Sequence, residues 1–118
     1  MRTLVDALKD YQKRRSIYLK RINFFLKLIK NRAKKLLGKN TKVFLFGSYL
    51  KGTFKLTSDV DILIVSNKVP EDPYEMTKIK VEIIKDFKPG HPFEIHLTNY
   101  KNFNNWYKRF IKKDLKEI

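Results

Sequence analysis

The stretch Val43-Phe44-Leu45-Phe46-Gly47-Ser48, followed by Ser58-Asp59-Val60-Asp61-Ile62-Leu63-Ile64-Val65, decides how this chain is read. It predicts a buried strand, a tight Gly-Ser turn, a short basic excursion and a second strand that opens with two carboxylates. Side chains alternate along a strand, so burying Val60, Ile62 and Ile64 on one face places Asp59 and Asp61 together on the other. Two like charges about 6–7 Å apart, at two residues of strand rise, repel unless a cation lies between them. A divalent metal is therefore expected at this pair.

Outward from this stretch, the pattern is that of a small α/β domain. Thr3 with Asp6 three residues later resembles a capping box, and no Gly or Pro interrupts until Gly38, so residues 3–37 form a basic helical region. Leu4, Leu8, Tyr11, Tyr18, Ile22, Phe25, Ile29 and Leu36 share one stripe, with Lys13, Arg14, Arg15 and other cations on the remaining surface. A single helix of that length would span about 50 Å. A break near residues 14–16, or a first segment projecting outward, is expected. Lys42–Phe46 is apolar on both faces and reads as a central strand, Ser48–Gly52 as one helical turn, and Asp59–Val65 as the second strand. Asp72, Pro73 and Glu75 start the next helix, which presents Met76, Ile79, Ile83, Ile84 and Phe87. Phe93–Leu97 is a third strand, with Glu94 and His96 on one face. A last helix runs from about Asn102, with Phe103, Trp106, Tyr107, Phe110, Ile111 and Leu115 buried as core rather than as a base-stacking platform. The expected order is helix, strand, strand, helix, strand, helix: a single domain over 1–118 with a small mixed sheet flanked by helices.

Composition narrows the function less than these motifs do. The 118 residues carry a net charge of +15. Residues 1–40 hold thirteen Lys/Arg against two Asp, whereas the remainder holds fourteen against ten Asp/Glu. Such a surface attracts nucleic acid, nucleotides or an acidic protein, and equally keeps a Lys-rich protein in solution. With no cysteine there is neither a disulfide framework nor a zinc–thiolate site. No apolar run reaches the roughly 18–20 residues that cross a bilayer, and Met1-Arg2-Thr3-Leu4 does not resemble a signal peptide. A cytoplasmic protein without membrane contact is expected.

Glu94 interrupts its apolar strand as Asp59 and Asp61 interrupt theirs. If the strands are neighbours in register, the three carboxylates converge. Glu82 and Asp86 fall in the intervening helix and are weaker candidates. Hard oxygen ligands of this kind suit Mg²⁺ or Mn²⁺. Two such ions about 3.5–4 Å apart serve in-line displacement at phosphorus. Gly47 lets backbone approach a phosphate, Ser48 adds a hydroxyl, and Lys51 and Lys55 offer positive charge to a triphosphate. His96 shares the Glu94 face and either touches substrate, orients a carboxylate or has no role. His91, ahead of Pro92, is a loop residue.

Phe46-Gly47-Ser48, ten residues, then Asp59-Val60-Asp61-Ile62 resembles the signature of the DNA polymerase β-like nucleotidyltransferase superfamily. The segment Gly47-Ser48-Tyr49-Leu50-Lys51-Gly52 through Ser58-Asp59-Val60-Asp61 is especially similar to the minimal nucleotidyltransferase proteins. The resemblance extends over about residues 40–97. It implies the polymerase β-like fold and transfer of a nucleoside monophosphate from an NTP, usually ATP, to a hydroxyl. It also implies two Mg²⁺ on Asp59 and Asp61, with Glu94 assisting the acceptor-side ion, and nucleotide contacts from Gly47, Ser48, Lys51 and Ser58. In that family Arg is common at the position of Lys51, which keeps the charge but lacks the bidentate fork. Small members of the family are paired with HEPN-type partners in toxin–antitoxin modules, and some adenylylate a Tyr of the partner. The competing expectation is a non-catalytic basic subunit that neutralises a partner or contacts RNA through residues 1–40. A nucleic-acid polymerase would need a primer-binding part for which 118 residues leave no room.

Overall fold

The computed structural model describes residues 2–52, 55, 58–107 and 114–118, apart from the side chains of Trp106 and Tyr107. The N-terminal region is two helices, α1 over Leu4–Lys20 and α2 over Ile22–Leu37. Thr3 caps α1 as the sequence predicts, with both halves of its capping box formed to Asp6. The break falls at Arg21 (φ −113°, ψ 34°), not near residues 14–16. Packing explains its place. α1 buries Arg15 and Tyr18 against the chain leading into the third strand, whereas α2 buries Leu26, Ile29, Ala33 and Leu37 against the sheet. One straight rod cannot serve both surfaces, so it bends between the two buried sets. Arg21 then lies over the Phe24 ring, 4.5 Å from its centroid.

The other elements are β1 (Lys42–Phe46), α3 (Ser48–Lys51), β2 (Val60–Val65), α4 (Pro73–Ile84), β3 (Phe93–Thr98), α5 (Tyr100–Asn102) and β4 (Lys116–Glu117), with a π-helical turn at Phe103–Tyr107 following α5. The sheet order is β3-β2-β1-β4. β2 runs antiparallel to β1 and parallel to β3, and β4 pairs antiparallel with β1. α4 makes the crossover that a parallel pair requires. Asp72 caps it by accepting from the Tyr74 amide, but Glu75 lies 3.5 Å from Lys78. The short β4 carried no alternation from which to read it. Of the expected last helix, Phe103 is buried against Phe44 with ring centroids 5.1 Å apart, and Leu115 packs on the same cluster. Phe110, Ile111 and the side chains of Trp106 and Tyr107 lie outside the described residues.

Alternation sorts the two sheet faces. Val43, Leu45, Val60, Ile62, Ile64, Ile95 and Leu97 meet α2 and α4 in the main core. Phe44, Leu63 and Val65 meet Phe103 on the opposite face. Asp61, Glu94 and His96 share that second face by strand parity, at the end away from Phe103. Leu4 and Leu8 on the predicted apolar stripe are exposed, as is Leu36 at 43%. Arg15, expected on the surface, is 1% exposed.

Arg32 ties α2 to the end of α4. It donates to both Asp86 oxygens at 2.8 and 2.9 Å and to the Ile83 carbonyl at 2.7 Å. The Arg32 hydrogen bonds hold the Asp86 carboxyl below its ordinary value. A carboxyl lowered by folding adds stability above its unfolded value and loses it as pH falls through the folded value. Thermal unfolding of Asp86→Asn should therefore show a lower Tm than wild type near pH 7. The gap should close as pH falls below the ordinary carboxylate range, around 3–4. A gap independent of pH would show that this ion pair does not supply the difference.

Candidate active site

β2 and β3 bring the acids together. Their parallel register sets Asp61 opposite Glu94 and Leu63 opposite His96. One oxygen each from Asp61 and Glu94 and one His96 nitrogen all lie within 4.8 Å of one another. His96 Nε2 is 3.3 Å from Asp61 Oδ1 and 3.8 Å from Glu94 Oε1. The imidazole also leans on Phe46 at the end of β1, with centroids 5.1 Å apart. Partial desolvation raises the Glu94 carboxyl above its ordinary value; His96 pulls it down, and Asp61 and Asp59 push it further up. Folding therefore makes Glu94 harder to ionise, a cost that grows as pH rises past its unfolded value. A cation beside it removes that cost. Two carboxylates and an imidazole form a donor set that fits a divalent cation.

Asp59 stands one residue ahead of β2, half-exposed, and is held differently. Arg15 of α1 lies 3.3 Å from its Oδ1. Asp59 is therefore near the cluster, close enough to act on the Glu94 carboxyl, while engaged by a buried guanidinium. Sequence reasoning placed Arg15 on the surface with its basic neighbours. The available signal was its spacing: Arg15 stands three residues before Tyr18, the other residue that α1 buries. His91, beside the same pair, is lowered by burial and by Arg15, with Asp59 opposing.

The Gly-Ser turn bears directly on Asp61. Gly47 has φ 83° and ψ −161°, and a Cβ built there would run into the Asp61 carboxylate, with Cγ at 3.2 Å. Only glycine lets the backbone pass this close to the acid. The four residues of α3 follow, with Gly52 in the left-handed region at its end. Ser48 stands at the first position of that turn. Lys51 lies 3.4 Å from Asp114 near the C-terminus. Ser58 Oγ accepts from the Lys55 amide at 3.2 Å and the Ser58 amide donates to the Lys55 carbonyl, closing the turn before Asp59. Of the predicted residues, Asp61, Glu94 and Gly47 meet, with His96 added. Asp59 adjoins them, near enough to act on Glu94, and is engaged by Arg15.

Gly47→Ala should displace Asp61, since both the φ and the missing space oppose a Cβ. Mn²⁺ affinity, followed by electron paramagnetic resonance, should fall while far-UV circular dichroism stays that of a folded protein. Unchanged Mn²⁺ binding would show that the close approach has no bearing on the site.

Residues 26–118 match a family profile described as a nucleotidyltransferase domain. The chain is also similar to a solved structure, "Crystal structure of putative nucleotidyltransferase", with 31% sequence identity and a TM-score of 0.62. That match covers 79% of this chain and 96% of the other. No match was found among functionally curated proteins. Among the described residues no helix is long and apolar enough to cross a membrane. The profile covers most of the chain and overlies the strands that carry Asp61, Glu94 and His96. This chain belongs to the nucleotidyltransferase domain family, within the DNA polymerase β-like nucleotidyltransferase superfamily, and is an enzyme of that class.

Proposed function

We propose that this nucleotidyltransferase moves AMP from ATP to a hydroxyl with the help of two Mg²⁺, or Mn²⁺ in their place. The acceptor in this reading is a Tyr of a HEPN-type partner, with the pair acting as antitoxin and toxin in the cytoplasm. The observation that carries it is the meeting of Asp61, Glu94 and His96 beside the Gly47 turn.

The acceptor oxygen attacks the α-phosphorus and forms the new P–O bond. The bond to the β-phosphate bridging oxygen breaks, and pyrophosphate leaves with that electron pair. The hydroxyl proton is given up to water or a nearby base. Bound divalent ions would polarise the phosphoryl oxygens and lower the pKa of the acceptor hydroxyl. Asp59 and Asp61 hold the ions in this reading, and Glu94 serves the acceptor side. His96, within reach of both Asp61 and Glu94, orients them. Gly47, Ser48, Lys51 and Ser58 receive the nucleotide. Lys51 must exchange Asp114 for phosphate to do so, an exchange open to an ion pair with both side chains part-exposed. For the acceptor, support comes from α1, which exposes Leu4, Val5 and Leu8 at 76%, 57% and 53%. Such a helix suits a protein partner better than bulk water.

The test is incubation with α-labelled ATP, Mg²⁺ and a HEPN-type partner. Label should enter the partner and pyrophosphate should appear. Asp61→Asn should reduce transfer by at least about 10²-fold, the scale of losing one electrostatic stabiliser of the transition state. Glu94→Gln should follow in the same direction. A wild-type protein that labels no acceptor with either metal would defeat the catalytic reading. Labelling of RNA instead of protein would redirect the acceptor to nucleic acid through residues 1–40.

A further inference from the structure

The N-terminal helix lies outside the part of the chain that matches the family, which begins at residue 26. It nonetheless delivers a charge to the site. Arg15 is 1% exposed, whereas its partner Asp59 is a half-exposed carboxylate with 54% of its side chain open. Arg15 Nη1 also donates to the Tyr11 hydroxyl at 3.4 Å, and the guanidinium lies near His91. The surrounding packing locks it there. Tyr18, one turn on, sits among Phe25, Phe87 and Phe93, and its hydroxyl accepts from the Lys88 amide at 2.7 Å. Gly90 passes so close to α1 that a Cβ would meet the Tyr11 carbonyl at 3.2 Å. This guanidinium is therefore a fixed charge rather than a surface side chain that swings aside.

We propose that Arg15 is a built-in counter-cation of the active site, neutralising Asp59 in the metal-free protein and lowering the site's affinity for divalent ions. The inference rests on the reading that Asp59, Asp61 and Glu94 receive the metal. Asp61 and Glu94 stand opposite each other on neighbouring strands with Asp59 one residue ahead, and carboxylates gathered in this way repel one another. A buried arginine relieves that repulsion on the Asp59 side, and its own burial is tolerable because a carboxylate faces it. The same positive charge, 3.3 Å from an Asp59 oxygen, opposes a divalent ion that Asp59 would hold. α1 thereby trades metal affinity for relief of repulsion within the site.

Mn²⁺ affinity, measured by calorimetry and electron paramagnetic resonance at fixed pH, separates the possibilities. Arg15→Met fills the buried space without a charge and should bind Mn²⁺ at least about fivefold tighter than wild type, the low end of measured coupling between sites. A folded Arg15→Met protein that binds Mn²⁺ equally or more weakly overturns the proposal. Asp61→Asn is the control for the site itself: if it binds Mn²⁺ like wild type, the metal assignment fails, and the role of Arg15 fails with it. A measurement on the unmutated protein guards against a variant that does not fold. The Arg15 Nε–H resonance should shift on Mg²⁺ saturation in wild type and stay in place in Asp61→Asn. An unmoved resonance in Mg²⁺-saturated wild type overturns the proposal equally.

Discussion

The parallel pairing of β2 with β3 is the constraint on which the site depends. It sets Asp61 opposite Glu94 and brings His96 within reach of both. A slip of one residue would send every side chain of β3 to the other sheet face, putting Phe93 and Ile95 in water and Glu94 in the core. The main core prevents that slip. Val60, Ile62, Ile64, Phe93 and Ile95 are buried together beneath α2 and α4, so the acids are aligned by hydrophobic residues on the far side of the same strands.

The Gly47 turn and the Arg15 contact restrain the same cluster from two directions. Gly47 lets the end of β1 run against Asp61, where any Cβ would collide. Arg15 fixes Asp59 from the other end of the acidic pair. The site is held open by backbone conformation and by one internal cation, which is how side chains that repel one another are kept in a folded protein.

The basic character of residues 1–40 divides into separate roles. Most of those cations are solvated, Arg32 clamps α2 to the end of α4, and Arg15 enters the active site. The charge imbalance visible in the sequence is therefore not wholly remote from the chemistry. α1 joins the two, because its inner face closes on Asp59 while its first turns carry Leu4, Val5 and Leu8 outward.

The sequence by itself determined the elements whose signals are local. Alternation located β1, β2 and β3 to within a residue, since one face of each had to be buried. Thr3, Asp72 and Pro73 marked helix starts because capping is satisfied within a few residues. Gly47-Ser48, Asp59 and Asp61 stood out as a candidate site because a glycine turn ahead of two closely spaced carboxylates is costly without a ligand. Glu94 followed from the same interruption of an apolar strand. The tertiary structure alone decided what depends on distant partners. The helix break moved to Arg21 because α1 and α2 pack on different surfaces. Arg15 went inside because Asp59, forty-four positions away, faces it. β4 formed because β1 had an open edge to accept a two-residue segment. The break and β4 leave no periodic or compositional trace and Arg15 only its spacing from Tyr18, since each is settled by what stands opposite in space.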